Sequence, residues 1–201
     1  EETARADGWR HALDYLRGDT SVREVILSGG DPLSLNDRLL AELAAALEQI
    51  RHIKILRIHT RQPVVLPSRV DATLLRWLTA CRLHKVVVLH TNHAQELDEA
   101  VRDACAKLRQ TGAILLNQSV LLRGVNDTVE ALAQLSEALL DAGVIPYYLH
   151  MLDRVQGAAH FDVPDGAARR LMGRLRGRLP GYLVPRLVRE VDWKSTRLNS
   201  S

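Results

Sequence analysis

Five short polar clusters each follow an apolar run in this chain of 201 residues: Ser28-Gly29-Gly30-Asp31-Pro32, His59-Thr60-Arg61, His90-Thr91-Asn92-His93, Asn117-Gln118-Ser119, and His150 through Asp153. Two chemistries suit them. Adjacent glycines let the main chain approach a ligand, so that an ammonium or phosphate meets carbonyls or amides with no Cβ in the way. Alternatively, His59, His90, His93 and Asp153 could gather a divalent metal, as in barrel hydrolases. No Walker loop and no GxGxxG fingerprint occurs, which lowers a dinucleotide-binding reading. Taken singly, each cluster has a plain structural explanation: the glycine pair turns the chain, His59 is a satisfied imidazole, Gln118 supports a loop. Five of them after five apolar runs point instead to one polar ligand site.

The elements that must position these clusters follow from periodicity. Apolar, β-branched runs begin near Val25, Ile55, Val86, Ile114 and Ile145, roughly 30 residues apart, the length of a strand, a helix and their loops. Helical patterns lie between them, over 37–50 with Leu39, Leu40, Leu43, Leu47 and Ile50, and over 94–111 with Leu97, Val101, Cys105 and Leu108. Further helices are expected over 3–17, 128–142 and 165–179. Asn36 is placed to cap the 37–50 helix, Asp127 with Glu130 makes a capping-box pattern, and Gly112 and Gly143 stand where a left-handed C-terminal residue is wanted. Strands separated by helices lie parallel with right-handed crossovers. The segments VREVIL, KVVVL and AILL read as covered on both faces. Five strands are too few for a closed eight-stranded barrel, so the expected fold is α/β, a partial (β/α) TIM-like barrel of about five parallel strands with flanking helices and the polar clusters on one rim.

Composition agrees with a globular protein: 46% apolar residues, 25% charged and a mean hydropathy of -0.10, which excludes collagenous, mucin-like and wholly disordered classes. No apolar run approaches the roughly 18 residues of a membrane span and no signal peptide opens the chain, so a cytoplasmic location and no membrane partner are expected. Cys81 and Cys105 lie in helical patterns with no CxxC partner, as reduced core thiols rather than a disulfide or a complete metal site. The net charge of +3 comes from 27 basic against 24 acidic residues, mostly interspersed. Arg169, Arg170, Arg174, Arg176, Arg178, Arg186 and Arg189 occur with no acidic residue between them, but Leu171, Met172, Leu175 and Leu179 recur at helical spacing. The arginines therefore read as the wet side of an amphipathic helix, and no nucleic-acid partner is expected.

Longer stretches carry a resemblance. SGGDPL at 28–33, RIHTRQPVVLPSR at 57–69, HTNHAQELDE at 90–99, LLNQSVLLRGVND at 115–127 and PYYLHMLDRVQGAAHF at 146–161 resemble the lysine 2,3-aminomutase family of radical S-adenosylmethionine (SAM) enzymes. The form HMLDRVQGAAHF is similar to the EpmB-type branch, which makes β-lysine for elongation factor P. The resemblance covers about residues 8–191. It implies three cofactors: SAM, a [4Fe-4S] cluster and pyridoxal phosphate (PLP). It also implies lysine as substrate, isomerised to β-lysine, and an indirect link to elongation factor P. On that template Ser28, Gly29, Gly30 and Asp31 face the methionine part of SAM. His90, Asn92, His93 and Gln118 line its adenosyl part, and Asp153 and, more loosely, Glu190 meet the lysine ammonium.

The departures are as specific as the match. The family holds its cluster on a CxxxCxxC loop, for which Cys81 and Cys105 cannot substitute, and its PLP lysine follows a segment like the REV here. After Val191 the chain turns into DWKSTRLNSS, which has no apolar period, so Lys194 is not promoted to the PLP residue and 192–201 reads as a non-native tail. The expectation is a partial radical SAM core over 1–191, truncated at both ends and inactive by itself, with an edge beside Val25 to Leu27 prone to association.

Overall fold

A computed structural model of the chain describes residues 2–153 and 158–189, with side chains from Trp9 onward. Glu190 and the 192–201 segment, expected as a substrate carboxylate and a non-native tail, lie outside the described residues, as do positions 154–157 of the LDRVQGAAHF motif. In order the chain forms α1 (Glu2–Gly18), β1 (Glu24–Leu27), α2 (Asp37–Glu48), β2 (Ile55–Thr60), the short α3 (Gln62–Val65), α4 (Ala72–Ala80), β3 (His84–His90), α5 (Glu99–Gln110), β4 (Ile114–Leu121), α6 (Val129–Asp141), β5 (Ile145–Met151), α7 (Asp165–Arg176) and β6 (Arg186–Val188). The strands make one sheet in the order β1-β2-β3-β4-β5-β6. Pairing is parallel between β1 and β2, β2 and β3, and β5 and β6. The expected α/β class with parallel strands alternating with helices is what the chain adopts. A sixth strand, β6, went unanticipated because three residues after Pro185 carry no readable period.

The chain divides into two compact units. The first comprises Glu1–His90, Leu97–Leu116 and Ala142–Val144. Here α2 opens on Asn36 as expected, its Oδ1 accepting from the Arg38 amide at 2.8 Å, and buries Leu39, Leu40, Leu43, Ala44 and Leu47. In α4, Asp71 Oδ1 accepts from Thr73 and Leu74, and the helix buries Leu74, Trp77 and Leu78. Asp98 caps α5 by accepting from Val101 at 2.9 Å, so this helix begins later than the 94–111 pattern suggested and Ala94–Glu96 is a separate 3-10 turn. Gly112 and Gly143 take the left-handed conformation, with φ of 82° and 72°. The expectation of strands covered on both faces holds for the middle of β3, where Val87, Val88 and Leu89 are all buried. It fails for β1, in which no residue is buried and Ile26 is 45% exposed, because β1 ends the sheet. In β2 burial alternates: Leu56, Ile58 and Thr60 are buried, while Arg57 and His59 share a half-open face.

The second unit comprises Thr91–Glu96, Asn117–Asp141 and Ile145–Ser201. Its core joins Leu121, Leu132, Ala133, Leu149, Met151, Ala168, Met172 and Leu175 from β4, α6, β5 and α7. On α7 the arginines at 169, 170, 174 and 176 are exposed while Leu171, Met172 and Leu175 are buried, as the amphipathic pattern required. The expected capping box of α6 is corrected. Thr128 Oγ1, not Asp127, accepts the Ala131 amide, and Asp127 Oδ1 accepts from Gly124 in the preceding turn. Among the described residues no helix is long and apolar enough to cross a membrane.

Candidate functional site

In the first unit, β1 is followed by Ser28, Gly29 and Gly30, all exposed. Gly29 and Gly30 have φ of 86° and 58°, and no atom stands within 4 Å of where either Cβ would be. Glycine is therefore required by backbone conformation rather than by crowding, and the space beside the main chain is open. Ser28, Gly29, Gly30 and Asp31 line a cavity of about 410 Å³ with Trp9 and Ile26.

Asp31 holds this loop in place. Its Oδ1 accepts from the Leu33 amide at 3.0 Å and the Thr60 hydroxyl at 2.7 Å; its Oδ2 accepts from the Arg61 and Gln62 amides at 2.7 and 3.2 Å. The carboxylate thus ties the loop after β1 to the loop after β2, and the Asp31 carbonyl is occupied as well, accepting from the Ser34 amide at 3.0 Å and the Ser34 hydroxyl at 2.6 Å, so that Asp31 builds the loop. His90 ends β3, its ring centroid 5.7 Å from that of His59 in an edge-on arrangement.

In the second unit, Asn92 and His93 donate their amides to Glu96 Oε1 at 2.7 and 2.9 Å. His93 Nδ1 accepts from the Gln95 amide at 3.2 Å, which leaves the ring proton on Nε2. The Asn92 side chain is a strand partner, its Oδ1 accepting from the Val120 amide at 2.8 Å. Two asparagines complete the loop: Asn117, which the sequence placed in a polar cluster without a role, and Asn126, noted only as part of the LLNQSVLLRGVND stretch. Asn126, fully buried, donates to the Asn92 and Val120 carbonyls and accepts from the Leu122 amide, all within 2.9 Å. Asn117, also buried, brackets Thr91 by accepting from its amide and donating to its carbonyl, both at 3.0 Å. Ser119 Oγ donates to the same carbonyl at 2.7 Å.

Strand alternation puts Gln118 on the face opposite Asn117 and Ser119, where it is half-buried. Asp153 follows β5 and is exposed. The candidate residues therefore fall as Ser28, Gly29, Gly30, Asp31 and His90 in one unit, and Asn92, His93, Gln118 and Asp153 in the other.

Residues suited to an iron–sulfur cluster or to PLP are a different matter. Cys105 is fully buried in α5 and desolvation pushes its thiol up to about 11. Cys81, at the end of α4, is also raised by burial. A cluster needs thiolates, and among the described residues no group of three or more His, Cys, Asp or Glu is placed to hold a metal. Lys85 is buried and donates to the Cys81 carbonyl at 2.9 Å, and Lys107 pairs with Asp103. The described cysteines therefore do not fit the cluster, and of the described lysines Lys85 is held by a carbonyl, Lys107 by a carboxylate and Lys54 is exposed, whereas the open glycine pair leaves room beside its main chain for a ligand.

No protein-family model matches the chain. Among curated proteins, an L-lysine 2,3-aminomutase of Escherichia coli is 51% identical over 197 residues, which is 98% of this chain and 58% of that protein. The Haemophilus influenzae protein of the same name is 46% identical over 191 residues, 95% of this chain and 56% of that one. That of Clostridium subterminale is 42% identical over 178 residues, 88% and 42%. The chain thus spans a little over half the length of the first two.

Among solved structures, Streptococcus suis SuiB bound to S-adenosylmethionine superposes with a TM-score of 0.57 at 12% identity, over 88% of this chain and 41% of that one. A domain of pyruvate-formate lyase-activating enzyme from Bacteroides vulgatus gives 0.56 at 11%, over 85% of this chain and all of that one, 100%. These likenesses carry the fold alone, and it is the partial (β/α) barrel expected from the sequence.

Proposed function

Because the chain belongs to the lysine 2,3-aminomutase family, we propose that it serves the isomerisation of L-lysine to β-lysine and that its residues bind SAM and the substrate side chain. The observation that carries this reading is the exposed, left-handed Gly29-Gly30 pair beside its cavity. When bound, SAM with an iron–sulfur cluster supplies a 5′-deoxyadenosyl radical, and PLP carries the amino group that migrates. Ser28, Gly29 and Gly30 receive the methionine end, the ammonium donating to glycine carbonyls that no Cβ shields, on a main chain that Asp31 holds beside it. The Asp31 carboxylate fixes that main chain and is itself a positioning group. His90, Asn92, His93 and Gln118 take the adenosyl part, with the Nε2–H of His93 as a donor. Asp153 and Glu190 supply negative charge for the lysine ammonium, an ion pair that is strong only where both partners keep further hydrogen bonds.

Cluster and PLP are assigned to no residue of this chain, and no step is derived through them. In this reading residues outside the chain hold both groups, and 1–191 forms part of one radical SAM core. Use of the product in elongation factor P modification is the last step of the reading and rests on the resemblance to that branch. The cheapest test is calorimetric titration of SAM into the chain. Binding should weaken about tenfold or more in Gly30→Val, whose side chain intrudes where the ligand approaches. Equal affinity in both proteins would remove the support the glycines give. Stoichiometric zinc binding through His59, His90 or His93, with no response to SAM, would favour a metal-dependent hydrolase instead. Conversion of lysine is tested by anaerobic reconstitution and mass detection of β-lysine.

A further inference from the structure

The half-open face of the first unit carries a charged group that no role above uses. Arg57, in the middle of β2, donates from Nη2 to Glu24 Oε2 on β1 at 2.8 Å, with the two side chains 17% and 33% exposed. Guanidinium and carboxylate usually meet fork to fork, Nε and an Nη each finding an oxygen. Here only one tine is engaged, and Nε is buried without a hydrogen bond. A buried donor of a charged group left unmet calls for an explanation, such as a ligand atom that completes it. The position suits that explanation. Arg57 stands opposite Ile26 in the parallel register, and Ile26 lines the cavity with Ser28, Gly29 and Gly30. Two residues further along the same strand face is His59.

We propose that Arg57 receives a carboxylate of the ligand bound on this face, with Glu24 holding the guanidinium so that its Nε edge is offered. The proposal rests on the SAM and lysine reading above for the identity of its candidate ligands. A flat, delocalised cation with a pre-set fork binds such groups bidentately, and a lysine in its place does not. Two sources of carboxylate are separable: SAM and lysine.

The test titrates matched probes into the full chain: SAM against decarboxylated SAM, and lysine against cadaverine. It uses the wild type, Arg57→Lys, and the double variant E24Q/R57M, which leaves no uncompensated charge; thermal melting checks that each variant folds. In the wild type, one pair should favour its oxyanion-bearing member by about tenfold or more. That preference should fall to about twofold or less in both variants, while the partner lacking the oxyanion binds as before. The pair affected names the source. Preferences unchanged by both variants, or no oxyanion preference in the wild type, overturn the role of Arg57. If decarboxylated SAM still binds in that case, the SAM reading survives; if neither form of SAM binds, that reading fails as well.

Discussion

The loop after β1 and the loop after β3 are both polar turns that leave a parallel strand, yet they are held by different chemistry. After β1, one carboxylate at the margin of solvent, that of Asp31, accepts four hydrogen bonds and leaves two glycines exposed. After β3, neutral carboxamides do the work from inside. Asn126 and Asn117 are 0% and 1% exposed, and each satisfies both a donor and an acceptor of the main chain. A carboxylate only accepts, so it suits a loop that presents several amides; a carboxamide does both, so it replaces a missing strand partner. The contrast shows that polar residues near a candidate ligand site divide into those that build the loop and those left to meet a ligand.

Removing Asn126 should have the largest effect on stability. Asn126→Ala leaves the Leu122 amide and the Asn92 and Val120 carbonyls without their partner, at a cost of about 3 kcal/mol. Asn126→Asp should not rescue it, because a carboxylate faces two carbonyls that need a donor. Urea denaturation and amide exchange at Leu122 are the measurements. A loss under about 1 kcal/mol would mean that water takes over the role of the side chain.

Asp31→Ala comes next, at about 2 kcal/mol, because its partners lie nearer solvent and water can reach them. Asp31→Asn should recover less than half, since Nδ2 cannot accept from the Arg61 and Gln62 amides as Oδ2 does. Full recovery in the asparagine variant would break the contrast drawn between the two loops.

Sequence periodicity showed the βα order, the Asn36 cap and the two glycine stops, because these depend on residues near one another in the chain. What it missed depends on distant partners. Thr60 and Asp31 meet across 29 positions of sequence, and Asn126 reaches back 34 to Asn92. The stretch GVND at 124–127 holds one asparagine, and nothing in its local pattern shows that this side chain is buried. Asp127 looked like the helix cap because the capping-box spacing fits it, whereas Thr128, one residue on, makes the bond. Of the site, the glycine pair was readable from residue type alone, since φ above zero with open space around it needs no partner.

Gly30→Ala should cost about 1 kcal/mol, the strain of a left-handed alanine, with no added collision because the space is open. Gly143→Ala is the control. It has the same sign of φ, but its Cβ would run into the Arg109 side chain, so it should cost more than Gly30→Ala by thermal melting. Equal losses would mean that Arg109 moves aside freely.

The smallest effect separates charged from neutral loop chemistry by pH. Asp71, which caps α4, is held below the usual carboxylate range by the Leu74 amide, then opposed by burial and helped by the Thr73 amide and the nearby Arg69 and Arg76. Its lowered folded value means that this contribution is present above the ordinary carboxylate pKa and is lost as pH falls through the folded one. Because the group is largely exposed, the whole contribution is modest. Asp71→Asn keeps a good N-cap, so stability at neutral pH should change by about 0.5 kcal/mol or less, while the decline of stability in acid becomes shallower. Asn126→Ala should shift the stability curve down at every pH without changing that slope, since a carboxamide does not titrate. Parallel acid limbs for wild type and Asp71→Asn would mean that the cap bonds of Asp71 are too screened by solvent to couple folding to its proton.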